Sequence, residues 1–569
     1  MYARFARFRR AIRTGSLPQL MIAIVAVCAM TLGAASIAGA SPGSLYALTT
    51  RANHHKHGKN NGQSKTPAIV TTSGPLKGIV NGNVAEFLGI PYAAPPVGPL
   101  RWTPPQPFGT WHGLLDASSF GNVCTQGGRG SEDCLFLNIY APNFKKNGNK
   151  HGSAMPVMFW IHGGALTGGA GSDFDPTPLL ASQNVIVVTI NYRLGYLGFL
   201  AQTALDSEGH EAGNYGLMDQ QFAMQWVQNN IAAFGGDPSN VTIFGESAGG
   251  QSVYCQLASP TAAGLYTHAI AESGSYEIFE PFLINALDPI AALSVAETTG
   301  TPNVPSGATI ANSVGCSSQT AACLRGVSNT ALVSVQVGTV YPFVDGTLLT
   351  ETPAQAFATG NFNRVPVMAG TNHDEWRIFV AEQYDAHGNP ILTEPEYDAA
   401  TLAMWGPLLG PIVLSIPAYA YVPPGGQVLG ASGTDGVFAC SARNGDILLS
   451  NFTNTYAYEF NDENAPPHQS DLPGLSFSLG AFHGAEVQYL FDVGFFFELN
   501  AAQHQLSQAM VGYWTNFAAS GNPNGGSLPT WSLYNPTSDI FQSLIPPTPT
   551  TESTFNTDHL CDAFWNLIP

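Results

Sequence analysis

Beyond its first 65 residues, this chain has very little positive charge. It carries 20 Lys and Arg in 569 residues, nine of them before residue 66, whereas all 39 Asp and Glu come later. The remainder therefore holds 11 basic and 39 acidic residues, a net charge of −28 with His neutral. Such a surface argues against nucleic acid or an anionic membrane as a partner. None of the eight cysteines stands in a CxxC spacing, which argues against a four-cysteine zinc site. No stretch repeats, so length alone would allow two to four domains.

The acid-free start is basic instead, with Arg4, Arg7, Arg9, Arg10 and Arg13 ahead of the apolar run LMIAIVAVCAMTLGAASIAGA and the small-x-small site Ala38-Gly39-Ala40. This pattern predicts a secretory signal peptide over residues 1–40, and hence a secreted or periplasmic product. The run is long enough for a membrane anchor, but its second half is only weakly apolar. Arg9-Arg10 suggests twin-arginine export, which Ala11-Ile12-Arg13 does not support. Residues 41–66 are rich in Gly, Asn, Lys and His and read as a flexible linker. His54, His55 and His57 lie there without the Cys or acidic partners of a metal site. In an oxidising compartment Cys124 with Cys134, and Cys316 with Cys323, can close short loops, and Cys440 can hold the C-terminal tail through Cys561. Spacing alone does not prove that pairing. Cys28 would leave with the signal peptide, so Cys255 remains, in an apolar segment where a small core residue is expected.

Two pentapeptides fit the GxSxG pattern of a serine nucleophile, GASPG at 39–43 and GESAG at 245–249. Ser41 sits at the cleavage site, with Pro42 after it and no strand before it. Ser247 follows the strand-like NVTIF and precedes AGGQSVYCQLA, small residues opening an apolar helix. Strand, sharp turn and helix N-terminus form the setting that lifts a serine hydroxyl clear of the backbone and favours developing negative charge.

A serine needs a base, and acyl transfer needs donors for an oxyanion. PVMFWIHGGALTGGAGSD predicts a strand over Pro156–Ile161 running into a bare loop that can aim N–H groups at a carbonyl oxygen. That loop lacks the Lys and the spacing of a phosphate-binding loop. VPVMAGTNHDEW predicts a strand over Val365–Ala369 that ends at Asp374 and Glu375, equals by chemistry. GAFHGAEVQYLF places His483 after the strand-like TYAYEF. Nucleophile, acid, histidine is the chain order of α/β-hydrolases.

The segments FLGIPYAAPPVGPLRW, SEDCLFLNIYAP, WIHGGALTGG, NYRLGYLGFL, NYGLMDQQFAMQWVQNNIAAFGGDPSNVTIFGESAGG, AGTNHDEW, FHGAE and YWTNFAASGNPN together resemble the type B carboxylesterase and lipase family, which includes cholinesterases and bacterial para-nitrobenzyl-type esterases. The likeness runs from about Gly74 to the C-terminus. It implies one α/β-hydrolase domain over residues 67–569, with a central, mostly parallel sheet flanked by helices. It implies Ser247 as nucleophile, Glu375 rather than Asp374 as acid, and His483 as base. The N–H groups of Gly164, Ala165 and Ala248 would be the oxyanion donors, Ser273 would support the acid, and the two close cysteine pairs would be disulfides. The activity implied is carboxylic ester hydrolysis through an acyl-enzyme, with a small-molecule ester as partner and no metal or organic cofactor. A neutral histidine base predicts activity falling as pH drops through roughly 6 to 7.

Three departures from the family bear on substrate. Only nine residues, TQGGRGSED, separate Cys124 from Cys134, where cholinesterases carry a longer loop with a Trp for the choline cation. Without an aromatic partner a quaternary ammonium is disfavoured, so short to medium, uncharged or aromatic esters are expected. Ala165 replaces a common third Gly, and Trp376 follows the acid where a Gly is common. A lipase or polyester-degrading esterase is the second enzymatic reading. A non-catalytic binding protein of this fold would lack the nucleophile or base, and Ser247, Glu375 and His483 are all present.

Overall fold

A computed structural model describes residues 68–143, 154–182, 184–276, 278, 290–300, 305–336, 340–467, 474–494 and 498–568. The expected signal peptide, Ser41 and the linker with His54, His55 and His57 lie outside these residues.

Eleven strands make the main sheet: β1 (Ile79–Asn81), β2 (Val84–Pro91), β3 (Phe136–Pro142), β4 (Met155–Ile161), β5 (Ile186–Ile190), β6 (Gly236–Glu246), β7 (His268–Glu272), β8 (Val367–Asn372), β9 (Thr455–Phe460), β10 (Phe541–Leu544) and β11 (Thr550–Glu552). Their order across the sheet is β11-β10-β9-β8-β7-β6-β4-β5-β3-β2-β1. Every neighbouring pair from β5 to β10 is parallel, and the outer strands on both sides are antiparallel. This is the mostly parallel, helix-flanked sheet that the family resemblance implies. A small separate sheet joins Ile69–Val70, Pro75–Lys77 and Leu115–Asp116.

The central strands read as continuous apolar runs because both faces are covered. In β4, Val157, Phe159 and Ile161 belong to one hydrophobic core, while Met158 and Trp160 belong to the other. Helices α1 (Tyr215–Asn230) and α2 (Ala248–Ala258) contribute Leu217, Met224, Val253 and Leu257 to the first core. Helices α3 (Arg377–Gln383) and α7 (Ala501–Ser520) contribute Val380, Leu506, Met510 and Trp514 to the second. Between them in sequence come α4 (Glu394–Val413), α5 (Gly425–Gly433), a π-helix at Thr434–Ala439, and α6 (Cys440–Ser450).

Three of the expected strands change limits, β4 by one residue, since it begins at Met155 rather than Pro156. β8 begins at Val367 rather than Val365, since Pro366 has no N–H to give to a central ladder. It then continues past Ala369 to Asn372, paired with Tyr458, Glu459 and Phe460 of β9. β6 starts at Gly236, ahead of the expected NVTIF. Because β6, β7 and β8 run parallel, their C-terminal ends collect Ser247, Ser273 and the turn that follows Asn372 on one edge of the sheet. In open α/β sheets this is the edge where binding crevices form.

Candidate active site

Ser247 occupies the turn between β6 and α2 with φ 56° and ψ −125°, a backbone conformation that L-residues rarely adopt. It is held by its own N–H, which donates to the Glu272 carbonyl at 2.9 Å. The flanking glycines are required by close approach: a Cβ on Gly249 would lie 2.0 Å from the Ile161 carbonyl oxygen, and one on Gly245 2.6 Å from the same atom. Besides the tightness of the turn, the neighbouring strand β4 therefore excludes a side chain at both positions.

Ser247 Oγ lies 2.8 Å from His483 Nε2, and His483 Nδ1 lies 2.6 Å from Glu375 Oε2. A carboxylate only accepts, so Nδ1 carries the proton and Nε2 is the acceptor that faces the hydroxyl. The other carboxylate oxygen, Glu375 Oε1, accepts from Ser273 Oγ at 2.6 Å, Thr371 Oγ1 at 2.8 Å and the Asn372 N–H at 2.7 Å. Ser273 thus meets the acid, as the family resemblance implies; Thr371 and Asn372 were not foreseen. Asp374 turns the other way, toward His373, Arg377 and the Ala481 N–H. The choice between the two adjacent acids is therefore made by the direction in which the turn after β8 points each side chain.

One neighbour of His483 escaped the sequence reading although it lies inside GESAG. Glu246 Oε1 is 3.3 Å from His483 Nε2, within ion-pair distance, and among the described residues it has no hydrogen-bond partner. Burial pushes the Glu246 carboxyl up to about 7, partly offset by the imidazole beside it. Burial by itself would depress His483, but the charges of Glu246 and Glu375 and the hydrogen bond to Glu375 outweigh it and raise the imidazole above its ordinary 6.5. His162 behaves oppositely: buried against Tyr192 and bonded to the Gly163 carbonyl, it is lowered to about 4 and stays neutral.

The loop after β4 brings Gly163 beside Ser247, where an added Cβ would sit 3.0 Å from the serine Cβ. Gly164 takes φ +101°, open to glycine but strained for other residues, and Ala165 follows at φ 55°. Ala248 opens α2, where the first N–H groups of a helix have no partner within it. None of the described hydrogen bonds takes up the N–H of Gly164, Ala165 or Ala248. Around the imidazole stand two phenylalanines: the ring centroids of Phe379 and Phe438 lie 5.2 and 5.0 Å from that of His483. Phe379 and Phe438 are nearly parallel to each other, and Trp376 packs on both. These walls come from α3 and the π-helix, elements with no sequence motif to announce them.

Cys124–Cys134, Cys316–Cys323 and Cys440–Cys561 are bonded, and the remaining described cysteine, Cys255, is buried with its thiol pushed far up by burial. No described helix is long and apolar enough to cross a membrane.

A family model described as "Carboxylesterase family" matches residues 65–403 and 427–561. The cocaine esterase of Homo sapiens is 33% identical over 535 residues, covering 85% of this chain and 89% of its own length. Carboxylesterase 1D of Rattus norvegicus is 34% identical over 538 residues, covering 83% and 89%. Among solved structures, a PNB esterase superposes with a TM-score of 0.71 at 30% identity, over 87% of this chain and 99% of its own.

Proposed function

Since this chain belongs to the carboxylesterase family and is a carboxylic ester hydrolase, we propose that Ser247, His483 and Glu375 carry the reaction on short to medium, uncharged or aromatic esters outside the cytoplasm. The observation that carries this reading is the unbroken chain of hydrogen bonds from Ser247 Oγ through both nitrogens of His483 to Glu375. His483 takes the hydroxyl proton as Ser247 attacks the ester carbonyl, and Glu375 holds the imidazole in the required tautomer and stabilises its cation. The N–H groups of Gly164, Ala165 and Ala248 receive the oxyanion. His483 returns its proton to the departing alcohol, and water repeats the cycle on the acyl-enzyme. None of these steps draws on a metal.

The apolar wall of Phe379, Phe438 and Trp376 supports the choice of uncharged and aromatic esters. Para-nitrophenyl esters of increasing acyl length, assayed with and without an emulsion interface, test the substrate class. Activity is expected to peak at short to medium chains with no rise at the interface. A preference for long chains with interfacial activation would make the enzyme a lipase. The three disulfides support an oxidising compartment, as does the signal peptide expected over residues 1–40.

The charges around His483 also set the pH response. An imidazole raised above 6.5 loses its basic form as pH falls, so the acid limb of kcat/KM is expected to have its midpoint above 6.5, in the upper part of the range foreseen from sequence or beyond it. Glu246→Gln removes one of the charges that raise it, and is expected to move that limb to lower pH. An unmoved limb in this variant would show that Glu246 does not act on the base.

A further inference from the structure

Outside the triad, the C-terminal ends of β8 and β9 and the C-terminal tail bring two histidines and a carboxylate together. His373 follows β8, Glu459 lies in β9, and His559 follows the short helix Phe555–Asp558. One ligand-capable atom from each of these three lies within 4.8 Å of the other two. We infer that His373, Glu459 and His559 form a binding site for a zinc ion, with water completing the coordination.

Three observations carry this. The first is the support behind the two imidazoles. His559 Nδ1 meets Asp435 Oδ1 at 2.6 Å, leaving Nε2 to face Glu459 Oε1 at 2.6 Å, and His373 Nδ1 meets Asp374 Oδ1 at 3.2 Å. Carboxylates that fix the tautomer and orientation of histidine ligands are the usual outer support of zinc sites. The supporting acids are themselves anchored: Asp435 accepts from the Tyr419 hydroxyl, and Asp374 from Arg377 and the Ala481 N–H. The second is charge. Asp435, Glu459 and Glu552 stand close together, with Asn461 Nδ2 bridging Glu459 Oε2 at 3.0 Å and Glu552 Oε2 at 2.9 Å. Among the described residues no Lys or Arg forms a salt bridge with any of these three carboxylates. Two of them are met instead by His559, and a dication would replace the proton that its ring holds between them. The third is access: Glu459 and His559 are buried, whereas the His373 side chain is 33% exposed and opens the cluster to solvent.

Two imidazoles and one carboxylate match the ligand chemistry of zinc rather than of calcium or magnesium, which prefer oxygen alone. At a metal–ligand distance of about 2.0–2.1 Å, the ion would take the place of the proton now shared between His559 and Glu459. Those side chains part slightly, and the partly exposed His373 swings in. The ion would join β8, β9 and the tail that Cys440–Cys561 already ties to α6, and it would have no part in the chemistry at Ser247.

The full-length chain with His54, His55 and His57 replaced by Ala, so that the histidine-rich stretch binds nothing, is stripped with a chelator and titrated with Co²⁺ and then Zn²⁺. One equivalent of Co²⁺ is expected to give the visible absorption of a low-coordinate cobalt site, one equivalent of Zn²⁺ to erase it, and Tm to rise with zinc. His373→Ala is expected to weaken binding by about 100-fold or more, and Asp374→Asn by about 10-fold. Absence of the cobalt absorption in the otherwise intact chain, as expected of a cluster held by protons alone, overturns the inference. So does a signal that persists in both His373→Ala and Glu459→Gln.

Discussion

Ser247→Ala is expected to lose all labelling by a fluorophosphonate and to lower kcat on para-nitrophenyl acetate by on the order of 10⁶-fold, the loss found when the nucleophile of such a triad is removed. The variant should fold normally. The positive φ at Ser247 is set by the turn, and alanine demands no more of it than serine does. The hydroxyl accounts for one close contact to His483 Nε2, and Glu246 Oε1 is already within 3.3 Å of that nitrogen. Residual hydrolysis above the water rate would come from the oxyanion donors and substrate binding alone. Undiminished labelling would remove Ser247 as nucleophile, and attention would turn to the other serines near the end of the sheet.

The largest effect on stability is expected at a pair that never touches substrate. Arg193 follows β5 and donates through Nε and Nη2 to both carboxylate oxygens of Asp219 on α1, each at 2.8 Å, while its backbone N–H reaches Asp219 at 3.0 Å. Both side chains are buried. Burial pushes the Asp219 carboxyl up in spite of the guanidinium beside it, a sign of how much desolvation the pair carries. Asp219→Ala strands a buried cation and is expected to cost about 3–5 kcal/mol, read as a lower urea midpoint. Replacing both partners, as Arg193→Met with Asp219→Leu, should cost much less, because no buried charge is then left without a partner. Equal losses in the single and double variants would mean that packing of these side chains, and not their charge, holds the region.

Much of this arrangement is legible in the sequence. The strand TYAYEF appears as expected, PVMFWI gains one residue and NVTIF sits inside a longer strand, since near-continuous apolar runs are what strands covered on both faces require. GESAG stood out from GASPG through its neighbours, because a nucleophile turn needs a strand before it and a helix after it. The preference for Glu375 over Asp374 came only from family likeness. Nothing in the chemistry of two adjacent acids separates them, and the separation is made by the hydrogen bonds that turn Asp374 toward Arg377 and Ala481.

What stayed hidden has a common physical cause: it depends on which distant segments meet. Phe379 and Phe438 are ordinary apolar residues until α3 and the π-helix set them against His483. Glu246 is one letter of a motif until the fold buries it beside the same imidazole. His373, Glu459 and His559 span 186 positions and share no motif, yet parallel strand ends and a disulfide-tied tail bring them within 4.8 Å. By itself the sequence determined four of the central strands to within a few residues, the tight turn at Ser247 and, through family likeness, the kind of reaction, because these follow from local pattern and steric demand. Only the tertiary structure decided which acid meets the histidine, what charges surround it and what walls the site, because those are properties of contacts between residues far apart in the chain.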